Sequence, residues 1–241
     1  MLTVLRKIRK SLIESGSTQK YLLYAMGEIA LVVIGILIAL QINNWNERRK
    51  DSIVERETLM NIQSGLESSH RQLNMSIGCN LKAATACEDI LDHLNKDLPY
   101  HDSLEIKFSQ AIQWCTPTFR NAGYENLKSA GLHLVTNKSI IKELDIYNID
   151  WLDQLANRQE YYFYNTASPI LTELFQTVAM GAKMKPFDYE KLKESNAYRS
   201  IMNTNIANRQ GQVNWYSQWL GNVSRMDSLI SAELDLPIRA N

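Results

Sequence analysis

Apolar side chains fill one long stretch near the start of the chain and recur at helical spacing through the rest of it. From Tyr21 to Leu40 the only charged residue is Glu28. At 1.5 Å per residue, roughly twenty helical residues reach about 30 Å, the thickness of the hydrocarbon core of a bilayer. The stretch therefore predicts one transmembrane helix, and Trp45 just beyond it is suited to anchor that helix at the membrane surface.

Apolar residues continue beyond this stretch near heptad spacing, with charged residues between them. The pattern predicts that the helix continues directly out of the membrane and runs to about Leu94. Gly65 and Gly78 are its weak points, and Pro99 marks the turn that follows it. The apolar positions are Ile53, Leu59, Ile62, Leu66 and Leu73.

Shorter helical patterns follow this long helix. One helix is predicted over Ser103–Trp114 and another over Tyr124–Ala130. Asn137 is placed to cap a longer helix, which Pro169 should kink or restart before it ends near Gly181.

The last helix is predicted over about residues 197–236, after a connector at 186–195. Apolar residues recur along it and form a seam for packing against other helices. Together these patterns predict an all-α fold, in which a single N-terminal transmembrane helix continues into an extramembrane antiparallel helical bundle. The predicted seam consists of Ile206, Val213, Tyr216, Leu220, Val223, Ile230 and Leu234.

The predicted organisation has three parts: a basic segment at 1–19, the transmembrane helix at 20–45 and a helical-bundle domain at 46–241. Residues 2–15 place apolar and basic side chains on opposite faces, as in a helix that lies on an anionic leaflet. A merely positive topogenic segment would carry the same charges. The apolar core is longer than that of a signal peptide and no A-x-A-like site follows it, which indicates an uncleaved anchor. We expect a cytoplasmic N-terminus and a periplasmic or external domain, because long domains behind a signal anchor translocate largely regardless of flanking charge.

One face of the predicted membrane helix carries features of a helix–helix contact. Glu28, Gly35 and Ile42 follow at seven-residue steps, and Gly35 and Ala39 form a small-x-x-x-small pair that lets another backbone come close. A charge at this depth costs a few kcal/mol, so Glu28 should be protonated, paired or facing protein. The alternative is that Glu28 is wetted near the headgroups and that Gly35 is an ordinary membrane glycine. The face predicts a homo-oligomer or docking to another membrane protein.

Composition and charge exclude some classes of protein. Lys plus Arg and Asp plus Glu both number 26, so no basic excess points to a nucleic-acid partner. Pro at 5 and Gly at 10 favour long helices over strands and turns.

The residues that usually build metal or catalytic sites are not in a recognisable pattern. None of the four histidines forms an H-x-x-x-H pair, and the cysteines show no C-x-x-C spacing. We therefore expect no metal, no cofactor and no catalytic residue. Cys79 and Cys87 would lie about 12 Å apart along a helix, too far for a mutual disulfide. Either can reach Cys115 in an oxidising compartment, whereas three buried free thiols are the expected arrangement.

Aromatic and polar residues supply the candidates for a recognition surface. Residues 161–164 are all aromatic, Trp151 precedes them, and Trp215, Tyr216 and Trp219 lie on the last helix. These residues are expected to pack the bundle; the alternative is an aromatic pocket or docking surface between the long helices. The candidates, of which the first four lie on a Pro/Gly-bounded segment, are Arg120, Asn121, Tyr124, Glu125, Trp151 and Tyr162.

Two stretches carry a family resemblance. KYLLYAMGEIALVVIGILIALQINNWNERRK at 20–50 resembles the N-terminal signature of a family of uncharacterised single-span membrane proteins of Gram-negative bacteria, a domain of unknown function. YENLKSAGLHLVTNKSIIKEL at 124–144 resembles the second recognisable stretch of that family. The resemblance implies an inner-membrane anchor with a helical extramembrane domain, and it brings no catalytic residues.

The sequence thus favours a non-enzymatic, membrane-anchored helical protein that acts in assembly or interaction, with the lipid bilayer and either its own copies or other membrane proteins as partners. The alternative is a periplasmic bundle that senses a small-molecule ligand near the aromatics and signals through a partner. The resemblance of such a bundle to four-helix sensor modules is one of architecture alone.

Overall fold

The computed structural model of the chain describes residues 18–119, 122–144 and 150–237. Every regular element in these ranges is helical, so the predicted all-α class is confirmed. Contacts divide the chain into two compact units, one of which is Glu55–Leu236. The other contains the part of the first helix up to Val54. Residues 1–17 of the predicted basic segment at 1–19, and two candidates for the recognition surface, Arg120 and Asn121, lie outside the described residues.

The first helix, α1, covers Thr18–Asn95, 78 residues. Gly65 and Gly78 do not interrupt it. In the first unit it is long and apolar enough to cross a membrane. Each side chain from position 29 to position 50 is exposed.

The second unit contains the rest of α1 and seven further α-helices in its described part. They are α2 (Ser103–Ala111), α3 (Ala122–Ala130), α4 (Lys138–Glu143), α5 (Asp150–Tyr162), α6 (Ser168–Leu174), α7 (Tyr189–Glu194) and α8 (Asn196–Leu234). A 3₁₀ turn at Leu132–Leu134 precedes α4, and a π-helical turn at Phe163–Ala167 joins α5 to α6.

Local signals set several helix ends. The side chain of Asn137 accepts hydrogen bonds from the backbone N–H groups of Ser139 and Ile140, which caps α4 as predicted. Pro169 lies in the first turn of α6, directly after the π-helical turn, and the chain stays helical through it. The N–H that proline lacks is thus missing where the hydrogen-bond pattern changes from π to α. Gly131 adopts a φ of 113° after α3, a conformation that glycine tolerates and most other residues do not.

The prediction that the helix restarted at Pro169 ends near Gly181 is wrong. The helix stops at Leu174 because the backbone of Phe175 is extended and forms an isolated antiparallel bridge with Pro186. The backbone N–H of Gln176 donates to the carbonyl of Lys185 at 2.9 Å. This arrangement buries the ring of Phe175, which the helical continuation would have directed elsewhere.

In the second unit, α1 and α8 run antiparallel. The guanidinium of Arg56 donates to the carbonyl of Leu236 at 3.3 Å near one end of α8. Further along, the amide of Gln210 donates to Glu88 at 3.3 Å. Buried residues on both helices alternate at spacings of three and four, the spacing of coiled-coil packing.

The seam of α8 differs from the predicted one. Of the predicted residues, Tyr216, Val223 and Ile230 are buried and the other four are half-buried. Between the apolar parts of the seam, polar side chains occupy the inward positions. A prediction based on apolar residues does not identify these positions. The buried seam contains Met202, Asn205, Arg209, Gln212, Tyr216, Val223, Met226 and Ile230.

Two hydrophobic clusters form the core of the second unit. In the first cluster, the rings of Phe108, Phe175 and Tyr198 pack together, with centroids 5.1 Å apart for the two phenylalanines. The second cluster joins α1, α3, α4, α5 and α8. It includes Leu59, Leu66, Leu127, Ile140, Tyr216 and Ile230.

Candidate functional site

Buried polar side chains lie between the two hydrophobic clusters. On α8 they occupy the inward positions between Met202 of the first cluster and Tyr216 of the second. On α1 they lie between Leu73 of the second cluster and Cys87 of the first. We call them the polar layer: Ser76, Asn80, Gln159, Asn205, Arg209 and Gln212.

The polar layer binds the backbone at the end of α2 and in the segment that follows it. The amide of Asn205 donates to the carbonyl of Ala111 at 3.1 Å, and Arg209 Nε donates to the carbonyl of Gln113 at 2.8 Å. Asn80 donates to the carbonyl of Cys115 at 2.7 Å. Residues 113–119 are not helical, so a buried carbonyl here needs a donor from elsewhere in the fold. The layer thus allows irregular backbone to lie inside a helical bundle.

Arg209 carries a buried charge. Its Nη1 donates to Gln159 Oε1 at 2.8 Å and to Gln212 Oε1 at 3.4 Å. Within the part of the chain that the structure describes, no carboxylate pairs with it. Burial lowers the pKa of Arg209 to about 10, so the guanidinium remains a cation at neutral pH. The positive charge is therefore balanced by amide and carbonyl dipoles alone.

The cysteines are arranged differently from the prediction of three free thiols. Cys79 and Cys115 form a disulfide, which joins α1 to the segment that the polar layer binds. Cys87 is a buried free thiol whose Sγ–H donates to the carbonyl of Ala111 at 3.3 Å. Burial raises the pKa of Cys87 to about 12, so this thiol is protonated and unreactive at neutral pH.

A pocket of about 280 Å³ opens between α5 and α8 beside the polar layer. Gln159 and Gln212 line it and are buried, whereas Arg158 and Trp215 line it and are exposed. Gln212 Nε2 is buried without a hydrogen-bond partner. The pocket thus joins the polar layer to the surface of the second unit.

The predicted membrane-helix residues all lie in the first unit. Glu28 is half-buried, and Gly35, Ala39, Ile42 and Trp45 are exposed. A Cβ atom added at Gly35 would meet nothing within 4 Å.

The candidates Tyr124 and Tyr162 are not brought together as one site. Tyr124 packs half-buried against the second cluster, and Tyr162 packs half-buried against the first. Glu125 is exposed on α3, and Trp151 lies in α5.

The four aromatic residues at 161–164 are likewise split between packed and exposed positions. Tyr162 and Phe163 pack against the first cluster, whereas Tyr161 and Tyr164 are exposed. On α8, Tyr216 and Trp219 pack in the second cluster, and Trp215 lines the pocket.

Sequence reasoning missed the polar layer. The signal was present, because Met202, Asn205, Arg209, Gln212 and Tyr216 follow at alternating spacings of three and four. Polar residues at consecutive seam positions indicate buried hydrogen bonds when apolar residues continue the same seam on both sides. Their backbone partners after α2 lie about 95 residues away, at a distance that no local pattern reveals.

Comparison with known proteins finds a resemblance to one family over part of the chain. Residues 28–142 match the profile of a family of unknown function, DUF6090. No curated protein and no solved structure matches the chain significantly. The match begins at Glu28 and ends within α4, so it includes Asn80 and the disulfide but not α5 or α8. The pocket therefore lies outside the segment that resembles DUF6090.

Proposed function

We propose that this is a non-enzymatic, single-pass membrane protein whose helices act in assembly or interaction, within a homo-oligomer or a larger membrane complex. The observation that carries the proposal is the apolar part of α1, whose side chains are exposed in the single chain. Leu31 is 73% exposed and Ile38 is 55% exposed, and their neighbours are similar. An apolar surface of this length is stable in a bilayer and not in water.

The face that contains Glu28, Gly35, Ala39 and Ile42 is the proposed contact with a partner helix. Helices associate in membranes through close backbone contact at small residues, because lipid already satisfies large apolar side chains. Gly35 and Ala39 supply such small residues on this face.

We place the anchor in a bacterial inner membrane, with the N-terminus in the cytoplasm and the second unit in the periplasm. The disulfide between Cys79 and Cys115 supports this location, because disulfides persist in oxidising compartments and are rare in the cytosol. The family resemblance supports the inner membrane.

A leucine at Gly35 tests the proposal. The Gly35→Leu variant places a bulky side chain on the proposed contact face, and we expect it to lose the oligomer or the co-purifying proteins of the native chain. Gly27→Leu is the matched control, since it also has open space around it and lies about a quarter of a turn from the centre of that face. Both variants are extracted gently from native membranes, and the mass of the complex and its other components are determined.

Two results would contradict assembly through this face. One is a Gly35→Leu complex with the same mass and components as the native complex. The other is a native protein that leaves the membrane as a monomer with no companion.

A further inference from the structure

The pocket between α5 and α8 contains polar groups that the fold does not use fully. Gln212 turns its carbonyl oxygen to Arg209, and its Nε2 is then left buried without an acceptor. A buried N–H without a partner costs roughly as much as a lost hydrogen bond. Two cations lie beside it: Arg158 in the pocket wall and Arg209 behind Gln212. No carboxylate is among the residues that line the pocket.

The rest of the wall is mixed: Gln154 and Asn208 add polar side chains, and the remaining residues form an apolar part. Leu155, Ala207 and Trp215 line the pocket together with Gly211. A ligand that fits this combination has an anionic end and an apolar body. At about 280 Å³, the volume is close to the lower end of the range for small-molecule sites, which limits the body to about one ring.

We propose that this pocket binds a small organic carboxylate. The carboxylate accepts hydrogen bonds from Arg158 and from Gln212 Nε2, and the apolar body lies against Leu155 and Trp215. This binding site goes beyond assembly through the membrane helix and does not depend on it.

Several features favour a carboxylate over other anions. Its planar, two-oxygen end matches the fork of an arginine and can accept from a neighbouring amide at the same time. Arg209 holds Gln159 and Gln212 by hydrogen bonds of 2.8 and 3.4 Å, so the donor is positioned before the ligand arrives. An inorganic anion would leave the apolar wall uncovered.

Gly211 makes the pocket testable without disturbing the core. A Cβ atom at Gly211 meets nothing within 4 Å, so Gly211→Leu fills the pocket without a backbone clash. Gly221→Leu is the matched control, because Gly221 is on the same helix, has the same open space and does not line the pocket. Lys128→Gln serves as the control for Arg158→Gln, since Lys128 is an exposed cation on α3, away from the pocket.

Binding is measured by titration calorimetry on the full-length protein in detergent micelles. The probes are benzoate and phenylacetate, with benzamide as the neutral analogue of benzoate. We expect at least one carboxylate to bind at one per chain, and benzamide to bind about tenfold more weakly than benzoate or worse. Gly211→Leu should abolish binding and Arg158→Gln should weaken it by about tenfold, while both controls leave it unchanged.

The proposal is overturned if neither carboxylate binds, or if benzamide binds as tightly as benzoate. Unchanged affinity in Gly211→Leu or in Arg158→Gln also overturns it. Circular dichroism of each variant shows whether it folds. Arg158 is exposed, so its variant remains informative even if Gly211→Leu does not fold.

Discussion

At the scale of single residues, Arg209 joins the irregular backbone after α2 to buried side chains around it. Its guanidinium binds a backbone carbonyl and two side-chain amides from one buried position. Removing a buried donor leaves its acceptors without partners, which costs more than the bond itself contributes.

We expect Arg209→Gln to lower the free energy of unfolding by about 2–4 kcal/mol, because the carbonyl of Gln113 and the amide of Gln159 lose their donor. Arg158→Gln, at an exposed arginine in the same region, should change it by less than about 0.5 kcal/mol. Urea denaturation of the detergent-solubilised protein, followed by circular dichroism, measures both. Equal free energies of unfolding for the two variants would contradict this prediction, because they would mean that water replaces the hydrogen bonds of the Arg209 guanidinium.

At the scale of helices, the position of α3 depends on the absence of a side chain at Gly123. A Cβ atom there would come within 2.9 Å of the backbone of Asn61 and Ile62 in α1. Real Cβ atoms do not approach backbone so closely, so any larger residue must push α3 away from α1. That displacement would also move Leu127, which is fully buried in the second cluster.

Gly123→Ala should therefore destabilise the protein by about 1–3 kcal/mol, the usual cost of overpacking. Gly78→Ala is its control in α1, where a Cβ atom meets nothing within 4 Å. The control should be more stable than the native chain by about 0.5–1 kcal/mol, since alanine favours helix over glycine. If both alanine variants were stabilised, α3 would be free to shift without loss.

The sequence predicted the helices well where the signal is local. Asn137 marked a helix start correctly, Pro169 marked the change from the π-helical turn to α6, and the heptad pattern of α1 predicted its end to within a residue. It did not predict the early end of α6 or the polar layer, since both depend on partners distant in the chain. Phe175 is held by Pro186 and by rings from other helices, and Arg209 by a carbonyl almost a hundred residues earlier. The pocket follows from the same long-range packing.

At the scale of the whole molecule, the disulfide connects stability to compartment. Cys79 and Cys115 are separated by 36 residues, and a closed loop of this length restricts the unfolded chain.

We expect the double variant Cys79→Ser, Cys115→Ser to lose about 2–4 kcal/mol of stability. A reductant should lower the denaturation midpoint of the native protein to a similar degree and leave the double variant unaffected. Alkylation of unreduced native membranes followed by mass spectrometry should leave both cysteines unmodified. Modification of both before reduction would contradict an oxidising location for the second unit.

The polar layer also fixes the register of α8 against α1. A seam of apolar residues alone tolerates slippage, because leucine and isoleucine pack almost equally well one heptad away. Slippage of α8 by one heptad, about 10 Å, would move Arg209 to the place of Met202 or of Tyr216. There it would lie in an apolar cluster, away from the carbonyl of Gln113, and a buried charge without partners costs several kcal/mol. Because burying Arg209 in an apolar cluster would cost free energy, the polar layer allows only one axial alignment of α1 and α8. A seam of apolar residues alone would not specify that alignment.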